Sequence, residues 1–143
     1  SEGRLNAALA AEHGVPVLLV TGDDLTCEDA NDYVPDARTV AVKECVSRYA
    51  AICTPPTVTA AAIEEESRAA MARAGRFDGA VSGHRIEVEF DAAHLAAAAA
   101  VVPTVEQLDV RRVGFDAASM TDAMKAFKVV TAIASGAVEG SYG

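Results

Sequence analysis

The chain reads as an α/β protein in which helices pack on a mixed sheet. Three observations carry that reading. Segments with helical spacing of apolar residues alternate along the chain with short runs rich in β-branched residues. Val15 to Val20 is apolar throughout, the pattern of a strand covered on both faces. At His84 to Phe90, the residues Ile86, Val88 and Phe90 alternate with Arg85, Glu87 and Glu89, the pattern of a strand covered on one face. With 143 residues there is room for one such domain with a hydrophobic core but not for two ordinary ones, so residues 1–143 are read as one domain.

Leu5, Leu9 and the surrounding alanines recur at helical spacing and Gly14 supplies a stop, which predicts a helix over Gly3 to His13. Val15 to Val20 is the first strand, bounded by Gly14 and by Thr21-Gly22. Asp23 and Asp24 are good caps for a short helix from Leu25 to Tyr33, with Glu28 and Asp29 near its positive end and Pro35 beyond its stop. Arg38 to Val46 reads as a second strand, and Ser47 to Pro56 as turn and irregular structure. A long helix from Thr57 to Ala74 follows, its Glu64, Glu65, Glu66, Arg68 and Arg73 forming a solvated charged stripe. Gly75 to Gly83 reads as a loop rather than a domain boundary. After the strand His84 to Phe90, Asp91 caps a helix Ala92 to Val102, which Pro103 ends. Val105 to Phe115 reads as a strand interrupted at Gly114, and Ser119 to Ala137 as a closing helix. The expected sheet has about four strands within this chain.

Composition removes several classes of function. There are 21 acidic and 12 basic residues, a formal charge of -9, so a nucleic-acid backbone or an anionic membrane surface is repelled. The longest apolar run, Ala92 to Val102, contains His94 and is far short of the ~20 residues that span a bilayer. Cys27, Cys45 and Cys53 are odd in number and match no zinc or redox spacing, which favours reduced thiols in a cytoplasmic setting. His13, His84 and His94 show no His-x-x-x-His pairing and are read as structural.

Three stretches resemble the zinc D-aminopeptidase family. The first is Glu2-Gly3-Arg4-Leu5-Asn6-Ala7, similar to the family's Gly-Glu-x-x-x-Asn-Ala opening of a helix. The second and densest runs from Val15-Pro16-Val17-Leu18-Leu19-Val20-Thr21-Gly22-Asp23-Asp24 through Pro35 to Ala41-Val42-Lys43-x-x-x-Ser47-Arg48. The third is Ile86-Glu87-Val88-Glu89-Phe90 with the helix Asp122 to Ala134.

The resemblance implies the C-terminal half of a zinc-dependent hydrolase that cleaves amide bonds of small peptides or amino-acid derivatives, D-amino-acid peptides among them. It places Glu2 at the family's last zinc ligand, while the other ligands and the catalytic histidine belong to an N-terminal half. That half completes the sheet. It also implies a ring-shaped homo-oligomer. Asn6, one turn beyond Glu2 on the same face, is a candidate to orient Glu2 or a substrate carbonyl. Lys43 and Arg48 are candidates to steady a substrate carboxylate or a developing oxyanion, against a plain surface salt bridge.

The chain begins at Ser1, without methionine and inside a predicted helix. Truncation, proteolysis and self-cleavage of a precursor all fit. In the last case the N-terminal half remains bound as a second chain, and Ser1 carries an α-amino group able to act as base for its own hydroxyl, the chemistry of N-terminal nucleophile hydrolases. A third reading makes the chain a non-catalytic assembly module that resembles the family.

Overall fold

The computed structural model describes residues 1–75 and 83–138. The chain packs as two compact units, Ser1–Ala80 and Val81–Gly143. The division falls within the segment expected to be a loop, of which residues 76–82 lie outside the described residues.

In the first unit, helix α1 (Glu2–Glu12) ends as expected at Gly14. Gly14 adopts φ +70°, and the Gly14 and Val15 amides donate back to the Ala11 and Ala10 carbonyls at 3.0 and 2.9 Å. Such a reversal needs a left-handed residue, which glycine supplies without steric cost. Strand β1 (Leu19–Asp23), helix α2 (Asp24–Tyr33) and strand β2 (Arg38–Ser47) form a β-α-β unit with β1 and β2 parallel. β1 starts four residues later than the apolar run predicts. The ladder opens only where β2 begins, with Leu19 opposite Arg38, and Val15 ahead of it stays exposed.

The stretch read as irregular contains a third strand, β3 (Ala50–Cys53), which folds back antiparallel on β2 and makes the sheet order β1-β2-β3. Its four residues Ala50, Ala51, Ile52 and Cys53 are exposed, so no alternation of apolar and polar residues marks it. Helix α3 (Pro56–Arg73) starts with Pro56 in its first turn, where a missing amide hydrogen does no harm. Its charged stripe is solvated at the Glu64–Arg68 pair, but Glu66 reaches back to Arg38 at the start of β2.

The second unit holds a separate antiparallel sheet. Strands β4 (His84–Glu89), β5 (Glu106–Gln107) and β6 (Arg112–Ala117) lie in the order β4-β6-β5. The predicted strand Val105 to Phe115 is therefore a hairpin, with Leu108 and Asp109 donating to the Arg112 carbonyl in its turn. Helices α4 (Ala93–Ala99) and α5 (Met120–Ser135) pack on each other and on β6. Their Ala96, Ala99, Val130 and Ala134 meet Val105, Val113 and Phe115 in the core, with Ile86, Val88 and Phe90 beside it. Small residues on α4 let the helices approach closely: Ala96 and Ala99 are fully buried there, while Ala97 faces solvent. Asp91 does not cap α4, whose N-cap is Ala92 without a side-chain hydrogen bond. Ser119 does cap α5, accepting from the Asp122 amide at 3.1 Å.

The α/β class is thus as expected, with two three-stranded sheets among the described residues, one in each unit, in place of a single sheet.

Candidate functional site

The sequence-predicted residues all belong to the first unit, in two groups. Ser1, Glu2 and Asn6 sit at the start of α1, with Ser1 at the N-cap and Glu2 in the first turn. Ser1 does not cap the helix with its side chain. Its Oγ donates instead to Asp29 Oδ2 of α2 at 2.6 Å. Arg4 reaches the same helix, 2.6 Å from Asp32 Oδ2 and 3.4 Å from Asp29 Oδ1, with its guanidinium 5.2 Å from the centre of the Tyr33 ring. The Ser1 hydrogen bond first, and the Arg4 cation after it, hold the Asp29 carboxyl below the usual carboxylate range. The Asp32 carboxylate in turn raises Arg4. Gly3 faces Tyr33 so closely that a Cβ there would collide with the phenol oxygen. Glu2 and Asn6 are exposed and make no hydrogen bond or ion pair among the described residues.

The second group lies where β1 and β2 pass into α2 and β3. Asp23 caps α2, accepting from the Thr26 amide at 2.7 Å. Its contact with Thr26 is the leading reason its carboxyl is held low, and the nearby Lys43 charge adds to it. Asp24, expected to share the capping, points elsewhere and accepts from the Cys45 amide of β2 at 2.7 Å. The parallel ladder breaks register here, passing from Gly22 opposite Ala41 to Asp23 opposite Lys43. Gly22 is needed at this corner: a Cβ would stand 2.6 Å from Thr26 Cγ2. Lys43 is exposed between Asp23 and Cys53, whereas Arg48 lies in the β2–β3 turn, 5.8 Å from the Tyr49 ring centre. Neither joins a salt bridge among the described residues.

The sequence matches the family of peptidase M55, D-aminopeptidase, over residues 1–129. The chain belongs to the D-aminopeptidase family. A D-aminopeptidase of Bacillus subtilis (strain 168) is 31% identical over 133 residues, which make up 91% of this chain and 48% of that protein. The solved structure of the Zn-dependent D-aminopeptidase DppA from Bacillus subtilis, a self-compartmentalizing protease, superposes with a TM-score of 0.83 at 30% identity, covering 91% of this chain and 48% of that one. This D-aminopeptidase-family chain therefore spans about half the length of the relatives it matches.

Glu2 is an exposed carboxylate with no ion-pair partner among the described residues. It is one donor. No group of three or more His, Cys, Asp or Glu side chains among the described residues is arranged to hold a metal ion. The residues Arg4, Asp29, Asp32 and Tyr33 around the helix start were not singled out from the sequence. Asp29 and Asp32 do stand at helical spacing on one face of α2, but nothing in the sequence says which cation they meet.

Proposed function

We propose that this chain contributes Glu2 to the zinc centre of a peptidase that hydrolyses amide bonds of small peptides, with D-amino-acid peptides as the substrate class. The observation that carries the reading is Glu2 itself, exposed and unpaired in the first turn of α1, within a match to a family whose solved relative is Zn-dependent. When bound, zinc supplies Lewis acidity and a coordinated water of lowered pKa. A site of that kind takes three protein ligands, so the remaining donors come from outside the described residues. Glu2 holds its carboxylate toward the cation, and Asn6, one turn further along α1, orients Glu2 or the substrate carbonyl. Lys43 and Arg48 supply cations for a substrate carboxylate or a developing oxyanion. The protein assembles into a homo-oligomer, a reading supported by its likeness to a self-compartmentalizing protease. No helix among the described residues is long and apolar enough to cross a membrane, and all three cysteines are free, which supports a cytoplasmic setting.

The second reading makes the Ser1 hydroxyl a nucleophile. The Ser1–Asp29 hydrogen bond favours a tethering role for the hydroxyl. The hydroxyl proton is already donated to Asp29 Oδ2 at 2.6 Å.

Two substitutions in the purified native protein decide between these. Glu2→Ala should lower zinc content and peptidase activity together. Ser1→Ala should cost about tenfold at most, the low end for an outer contact of a metal site, where losing a serine nucleophile costs on the order of 10^6-fold in kcat. Normal zinc and activity in Glu2→Ala would end the metal assignment. A protein devoid of both zinc and activity before any substitution would favour the assembly module.

A further inference from the structure

We infer that Cys45 and Cys53 form a redox pair on the β2–β3 hairpin, closing to a disulfide by exchange with a low-molecular-weight disulfide such as oxidised glutathione. The register of the hairpin carries this. Cys45 stands opposite Ala51, and Lys43 opposite Cys53. Residues directly opposite each other share a face, as do residues two apart on one strand. Lys43, Cys45, Ala51 and Cys53 therefore project from the same side of the sheet. Cys45 and Cys53 are diagonal neighbours on that side. In an ordinary ladder such neighbours lie about 7–8 Å apart, just beyond the Cα separation of about 4.4–6.8 Å that a disulfide bridges.

The hairpin can supply the remaining movement. β3 is the edge strand of its sheet, four residues long and exposed throughout, so shifting it disturbs no core packing. The ladder also changes register between Cys45 and Ser47, an irregularity of the kind that sharpens strand twist. Cys45 Sγ donates only weakly to the Ser47 carbonyl oxygen, at 3.8 Å, and rotation about χ1 frees it. Both thiols are free, with Cys53 exposed and Cys45 half-buried, which sets the order of events. Cys53 attacks the small disulfide, forming a mixed disulfide and expelling one thiolate. Cys45 then attacks the Cys53 sulfur, forming the protein disulfide and expelling the second thiolate. Two protein thiols are oxidised and one small disulfide is reduced to two thiols, which take up the two protons that the cysteines release. The second attack is intramolecular, at the roughly millimolar effective concentration of a short tether, so the mixed disulfide does not accumulate. Because closure displaces β3, the product is readily reduced again, as regulatory disulfides in a reducing compartment are. It constrains the hairpin that carries Lys43 and Arg48. Cys27 takes no part: it is buried in α2, and burial pushes its thiol up.

The test equilibrates the purified native protein and Cys45→Ser with mixtures of reduced and oxidised glutathione, alkylates the remaining thiols and maps each cysteine by mass spectrometry. In the native protein the Cys45 and Cys53 thiols should be lost together, giving one cross-linked peptide pair within a single chain, with Cys27 still reduced. Cys45→Ser should stop at a glutathione adduct on Cys53. Glutathione held on Cys53 of the native protein to the same extent as in Cys45→Ser would overturn the pair, as would two chains joined through Cys53. So would a native protein whose Cys45 and Cys53 stay reduced in every mixture. None of these outcomes depends on a metal at Glu2.

Discussion

Phe115 is 2% exposed and lies with Val113 and Val130 at the centre of the second unit's core. The neighbours are the rigid faces of a sheet and two alanine-lined helices, which have little freedom to collapse into a void. Phe115→Ala should therefore destabilise that unit by about 3–5 kcal/mol, measurable as a shift in the denaturant midpoint; a shift under half of that would mean the core relaxes. The carboxylates of the first unit respond to pH in a direction the structure dictates. Asp23, through Thr26, and Asp29, through Ser1 and Arg4, are held below the ordinary carboxylate range. A group lowered in the folded state adds stability above its unfolded value, near 4, and loses it as pH falls through the folded value. The denaturant midpoint should hold between pH 7 and 5 and decline below about pH 4, and Asp29→Asn should flatten part of that decline. An unchanged slope in Asp29→Asn would show that its hydrogen bond and ion pair do not persist in solution.

Among the elements, the corner between β1 and α2 is the most constrained. Gly22 sits against the Thr26 side chain, Asp23 caps the helix, and Asp24 fastens the same turn to the Cys45 amide of β2. A methyl group at position 22 meets Thr26 Cβ at 2.7 Å, an atom that cannot move unless the helix does. Gly22→Ala should cost about 1–3 kcal/mol by overpacking, and Gly22→Ala combined with Thr26→Gly should recover part of it; equal stability of the two variants would show that the strain lies elsewhere. Gly114 contrasts with it. There the missing Cβ leaves space over which Arg85 lies, reaching Glu106 at 2.8 Å and Asp116 at 3.1 Å across three strands. What reads as an interruption in the sequence lies under a cross-strand ion-pair network, and the displaced atoms would be the flexible end of Arg85 and a methyl of Leu108.

For the molecule as a whole, zinc held in part by Glu2 would couple metal binding to folding. Binding to the folded state alone stabilises it by mass action. Zinc at about 100 times its dissociation constant should raise stability by roughly 2.7 kcal/mol, and the increment should disappear in Glu2→Ala and on addition of a chelator. A melting temperature indifferent to zinc would count against a native metal site. The charge of -9 works in the same direction, since a strongly acidic protein draws cations toward a carboxylate site and repels polyanions.

Periodicity and turn chemistry were enough to place the five helices among the described residues, the strands β2 and β4, the Gly14 stop and the Asp23 and Ser119 caps, because each depends on residues within a turn or two of itself; of the run read as the first strand only Leu19 and Val20 lie in β1. The motif around Glu2 was legible as well, because family likeness is carried by the order of residues. Whatever depends on partners distant in sequence was not. β3 is a strand only because β2 lies beside it, and β5 and β6 separate only because a hairpin turns at residues 108–111. Asp24 leaves its expected cap for an amide 21 residues away, and Arg4 finds Asp32 across 28. Side-chain identity sets what a residue can bind, but which group stands within 3 Å of it is a property of the packed chain. For that reason only the tertiary structure decided that Glu2 stands free while Ser1, just before it, and Arg4, two residues after it, are held.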